Sequence, residues 1–89
     1  MKILELNSIT GEDTLLYYRR NYTATAKLQL FSSTKDVHIA FTIEVGPLGN
    51  KVIYVEYPSG TDFDYPILPV TKSLKEKILE LDNNGNLPI

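Results

Sequence analysis

Two stretches decide the fold: "YTATAKLQL" (Tyr22–Leu30) and "VHIAFTIEV" (Val37–Val45). In the first, Tyr22, Ala24, Ala26, Leu28 and Leu30 alternate with Thr23, Thr25, Lys27 and Gln29. In the second, Val37, Ile39, Phe41, Ile43 and Val45 alternate with His38, Ala40, Thr42 and Glu44. A two-residue period puts every apolar side chain on one face of an extended chain, so each stretch predicts a half-buried strand. The polar "SSTKD" between them (Ser32–Asp36) is turn-forming, and the pair reads as a long antiparallel hairpin.

Working outward, "GPLGN" (Gly46–Asn50) predicts a second turn, with glycines free to take positive φ and Pro47 fixing its own. Lys51–Tyr57 is then a third strand, rich in β-branched and aromatic residues. Its apolar residues fall on both faces: Val52 and Tyr54 on one, Ile53, Val55 and Tyr57 on the other. A strand of that kind suits the interior of a sheet, a place under a helix, or a subunit interface. Toward the N-terminus "KILEL" and "TLLYYR" predict two further strands around a "TGED" turn. After Pro69 the period changes. Leu74, Ile78 and Leu81 stand at i, i+4 and i+7, a helical stripe, with Thr71 or Ser73 as the expected cap and Ser73–Glu76 at capping-box spacing. Asn83, Asn84 and Gly85 supply the stop. With no repeat, linker or low-complexity segment, the expectation is one domain over residues 1–89. It is of the α+β class, an antiparallel meander of about five strands followed by one C-terminal helix.

The 89 residues bury only roughly 60% of the surface their unfolded chain exposes. There is no cysteine, so neither a disulfide nor a thiolate metal site can staple the fold. A long sheet edge in so small a chain is expected to be covered by a partner, and the sheet is expected to extend across a homodimer. Glu5 interrupts "MKILELNSIT" before an apolar run forms, and no other run reaches membrane-spanning length. A cytoplasmic location is the expectation, with no membrane partner. Asn21–Tyr22–Thr23 matches the glycosylation pattern, which that location would leave unused. The net charge of −2 excludes a chain whose whole surface attracts nucleic acid, though not a local basic patch.

Few residues suggest chemistry. Asp62 and Asp64, with His38 distant in sequence, supply at most part of a metal site, and a solvated acidic loop accounts for them better. No nucleophile with a paired base stands out, so no enzymatic activity, cofactor, metal or small-molecule substrate is expected. Arg19 and Arg20 suit either a phosphate or a solvated turn. Tyr54 and Tyr57 suit packing at a core or interface better than base stacking. Lys72, Lys75 and Lys77 gather at the expected helix start, where cations and unpaired N–H groups together could receive a phosphate backbone. A solvated lysine face is the competing reading.

"ATAKLQL" (Ala24–Leu30), the "IEV" closing the next strand, "GNKVIYVEYPS" (Gly49–Ser59), then Phe63, Pro69–Val70, Ser73, Lys75 and Lys77–Ile78 follow one another in a recognisable order. Over residues 22 to 82 this pattern resembles the stage V sporulation protein G family of small bacterial septation regulators. The resemblance implies a non-enzymatic homodimer that binds DNA or RNA and regulates septation, sporulation or gene expression. It places the nucleic-acid contact at Ser59 and at the helix lysines, with Lys75 and Lys77 on matching positions and Lys72 adding a charge. Two features depart from it. Pro58–Ser59 runs directly into Gly60, Thr61 and Asp62, a shorter loop without the family's basic pair, and Val52 replaces a glycine. Losing cations there weakens phosphate binding. The alternative, which the acidic loop and the negative net charge favour, is a dimeric protein-interaction module that keeps its sheet and has lost its nucleic-acid surface.

Overall fold

The computed structural model describes residues 2–12, 18–29, 33–58 and 67–88. Four strands, β1 (Lys2–Glu12), β2 (Arg19–Gln29), β3 (Thr34–Val45) and β4 (Lys51–Glu56), precede one helix, α1 (Ile67–Asn83). The strands form one antiparallel sheet in the order β1-β2-β3-β4. This is the α+β architecture that the alternation implies.

The β2–β3 hairpin is the centre of the sheet, and its register runs unbroken from Arg19↔Glu44 to Gln29↔Thr34. That register sets Tyr22 opposite Phe41, Ala24 opposite Ile39 and Ala26 opposite Val37. All six are buried, together with Leu28 and Ile43. The Tyr22 and Phe41 rings stack with centroids 5.0 Å apart, a cross-strand aromatic pair that helps fix the register. Ala24 and Ala26 leave room above the sheet, and α1 fills it with Val70, Leu74 and Ile78, while Ile53 and Leu87 close the core. Leu6, Ile9, Val55, Tyr57, Ile67 and Leu81 pack around its margin.

Three expectations are corrected. Thr10–Glu12 of the "TGED" segment continues β1 instead of turning, and Thr34–Asp36 of "SSTKD" belongs to β3. Four strands are found among the described residues. The additional strand expected at "TLLYYR" falls largely on residues 14–17, outside the described residues, while Tyr18 lies in a turn and Arg19 opens β2. The helix begins at Ile67, so Pro69 is its third residue and neither Thr71 nor Ser73 is a cap. Proline is tolerated there because first-turn N–H groups have no partner inside the helix. Starting at Ile67 extends the apolar stripe to Ile67, Val70, Leu74, Ile78 and Leu81.

The helix stop follows the expected chemistry. Gly85 takes φ of 70°, its N–H donates to the Asp82 carbonyl at 3.1 Å, and the Asn86 N–H donates to the Leu81 carbonyl at 2.8 Å. These two bonds define a Schellman motif, whose left-handed position favours glycine. Leu87, just beyond, is thereby turned into the core. Replacing Gly85 with alanine is expected to cost about 1 kcal/mol, read as a lower urea midpoint at unchanged slope.

Candidate functional site

The two faces of the sheet differ in what they can bind. One lies under α1. The other carries the alternate residues, and the registers set them in rows. These rows are Glu5–Lys27–Asp36, Asn7–Thr25–His38, Thr10–Thr23–Ala40–Glu56, Glu12–Asn21–Thr42–Tyr54 and Arg19–Glu44–Val52. Hydrogen bonds cross them: the Thr42 hydroxyl donates to Asn21 Oδ1 at 2.9 Å, and Thr25 Oγ1 lies 3.3 Å from His38 Nδ1. Within these five rows, five carboxylates (Glu5, Glu12, Asp36, Glu44, Glu56) stand with the fixed cations Lys27 and Arg19. Such a surface repels a phosphate backbone more than it attracts one.

The sheet's two edges also differ. β1 is interrupted by register shifts between Ile3 and Glu5 and between Asn7 and Thr10, and in the second Ser8 adopts φ of 54°. Bulges twist an edge away from further pairing. β4 pairs with β3 without a shift from Lys51 to Glu56. On its outer face Val52 is 41% and Tyr54 49% exposed. The expectation that this strand's second face is also covered therefore fails within a single chain.

The helix lysines do not form one patch. They occupy the second and third turns of α1, away from its unpaired N–H groups, so the expected pairing of a basic cluster with the helix start is corrected. At about 100° per residue, Lys72 and Lys75 lie about 60° apart, whereas Lys77 is about 140° or more from either. Burial follows: Lys72 and Lys75 are exposed and Lys77 is half-buried. Leu68, Lys72, Lys75 and Leu79 make a second stripe on the outer side of α1 at i, i+4, i+7 and i+11, all exposed. Beside it, a shallow groove of about 330 Å³ runs between α1 and β4, lined by Lys51, Val52, Ile53, Lys75, Glu76 and Leu79. A wider cleft of about 680 Å³ adjoins the β3–β4 turn, where Tyr18, Glu44, Val45, Gly46 and Pro47 line it.

Other candidates are placed as follows. Ser59, Asp62 and Asp64 lie outside the described residues, and no group of three His, Cys, Asp or Glu side chains among the described residues could hold a metal ion. Arg20, read as part of a solvated turn or a phosphate contact, is instead in β2 and committed to Asp82. Its Nη2 lies 3.0 Å from Asp82 Oδ1, and Nη1 donates to the Tyr22 hydroxyl at 3.2 Å. Lys51 Nζ reaches Asp82 Oδ2 at 2.6 Å and Asn83 Oδ1 at 3.0 Å. The last turn of α1 has no basic residue of its own. An anion there opposes the helix dipole, and the sheet supplies the two compensating cations. At the other end of the helix, the Tyr57 and Thr71 hydroxyls lie 2.8 Å apart and share a hydrogen bond. Sequence spacing gave no sign of this clamp, because Arg20 and Asp82 stand 62 residues apart.

These features define a small α+β domain with one sheet face under a helix, one face open, and one regular strand edge. The chain belongs to the BB-0187 family, which it matches over residues 1–83. No curated protein and no solved structure matches it. Among the described residues no helix is long and apolar enough to cross a membrane.

The Asp82 side chain is 8% exposed. Burial raises its pKa, but the hydrogen bonds and charges of Lys51 and Arg20 outweigh this and hold the carboxyl below its ordinary value of 3.8. A lowered folded-state pKa contributes stability above the unfolded value, and that contribution is lost as pH falls through the folded one. Asp82→Asn is expected to cost about 1–2 kcal/mol at pH 7, the figure allowing for the partial exposure of both cations. The gap between wild type and variant should close below about pH 4, as read from urea midpoints across pH.

Proposed function

We propose that this chain is a non-enzymatic binding module that works as a homodimer and recognises protein surfaces. The observation that supports this most is the apolar pair Val52 and Tyr54, exposed on an edge strand whose sheet face is otherwise rich in carboxylates. Apolar side chains grouped at a strand edge gain from being covered by another chain, and the net charge of the surrounding face does not favour a polyanion. The resemblance to the stage V sporulation protein G family extends this reading to a cytoplasmic regulator of septation, sporulation or gene expression.

A second reading has its own observation. Lys72 and Lys75 sit side by side on the exposed stripe of α1, making no ion pair among the described residues. Under this reading they contact a DNA or RNA backbone, with Lys77 and Ser59 contributing at the margins. Two cations per chain, or four per dimer, give weak binding with a shallow salt dependence. Gel-shift titrations at low ionic strength, on duplex and single-stranded probes, separate the two readings. The protein-interaction module shifts none of them. The nucleic-acid reading requires a shift that disappears in the Lys72→Glu, Lys75→Glu, Lys77→Glu triple variant.

A further inference from the structure

We infer that the surface which completes the sheet is a second copy of the same β4, paired antiparallel about Ile53, with the groove beside it closing against its counterpart. This rests on the homodimer just proposed and says where the two chains meet.

The choice of edge follows from regularity. A new strand needs an uninterrupted row of backbone donors and acceptors. β1 breaks that row twice and strains it at Ser8, whereas β4 keeps it over six residues. The choice of partner follows from self-complementarity, which a two-fold interface demands. Directly opposed residues of an antiparallel pair point to the same face. The two-fold axis must therefore pass a residue paired with itself, and it keeps both helices on one side of the extended sheet.

Two such registers lie at the middle of β4. About Tyr54, Val52 would face Glu56 of the other copy, pressing a carboxylate against an apolar side chain. About Ile53, Val52 faces Tyr54 of the other copy, and Tyr54 faces its Val52. That is a β-branched and aromatic pair made twice on the open face, and it covers both exposed side chains. On the helix side, this register brings two grooves together, each offering Leu79 at 38% exposure together with Lys75 and Glu76. One lysine and one glutamate in the same groove can pair reciprocally across a two-fold axis, which an acidic or a basic foreign peptide could not satisfy equally well. Lys51 stays with Asp82 and is not asked to change partners.

The absence of cysteine makes a clean test possible. Opposed residues in an antiparallel pair have Cα atoms about 4.5 or 5.5 Å apart, within the range of about 4.4–6.8 Å that a disulfide spans. Val52→Cys and Tyr54→Cys chains are prepared singly, checked for native circular dichroism, then oxidised alone and as a mixture, with sedimentation velocity run alongside. The inference expects cross-linked heterodimer in the mixture and little product from either variant alone. Efficient cross-linking of Tyr54→Cys alone overturns the register. A two-chain mass with no cross-link in any sample overturns the β4 surface while sparing the homodimer. A single-chain mass at every concentration overturns both. As a further readout, Tyr54→Lys is expected to weaken dimerisation about tenfold or more, with the urea midpoint of the monomer unmoved.

Discussion

Among the described residues one 17-residue helix covers one face of a four-stranded sheet, and how it is held there shapes the rest of the fold. Burial of Val70, Leu74 and Ile78 in the core they share with β2, β3 and Ile53 supplies the main attraction, which is non-directional. Direction comes from the ends. The Tyr57–Thr71 hydrogen bond fixes the helix near its start, and the Arg20–Asp82–Lys51 cluster fixes it near its end, joining β2 and β4 to the last turn. Because the helix is pinned on the face that carries Ile53, the other face of β4 has no helix over it among the described residues. Val52 and Tyr54 are left exposed by the same arrangement that buries their neighbour.

The alternation of β2 and β3 was legible in the sequence because burial of one face imposes a strict two-residue period. Tyr22, Ala24, Ala26 and Leu28, with Val37, Ile39, Phe41 and Ile43, are the residues that period selects. The stop at Gly85 was legible for a similar reason, since few residue types tolerate a left-handed backbone. The helix start was not. Pro69 reads as a barrier to a helix, but in the first turn it removes an N–H that had no partner, and nothing local distinguishes the two cases. β1 was legible only at its start: "KILEL" marked a strand, but two bulges shift its phase, so Glu5, Leu6, Ile9 and Thr10 follow no single period and its extension to Glu12 was not.

The candidate surface was only partly legible. Apolar residues on both faces of Lys51–Tyr57 raised the expectation of a covered second face, which the single chain leaves exposed at Val52 and Tyr54, and gave no sign of which edge of the sheet the strand would occupy. The lysines of α1 looked like a single cluster because they are close in sequence. A helix turns residues two apart toward opposite sides, and Lys77 is carried away from Lys72 and Lys75. Arg20 and Asp82 could be matched only by the fold, since ion pairs between distant segments leave no local pattern. Membership of the BB-0187 family extends over residues 1–83 and assigns no activity to the chain.

The proposed β4-paired homodimer stands or falls on whether the regular edge of β4 is occupied by another chain, and amide hydrogen exchange reports on that edge directly. The β4 amides that point away from β3 should exchange slowly at high protein concentration and progressively faster on dilution, while the β1 edge stays fast throughout. If those β4 amides exchange as quickly as the β1 edge at every concentration, the edge is bare and the account is contradicted.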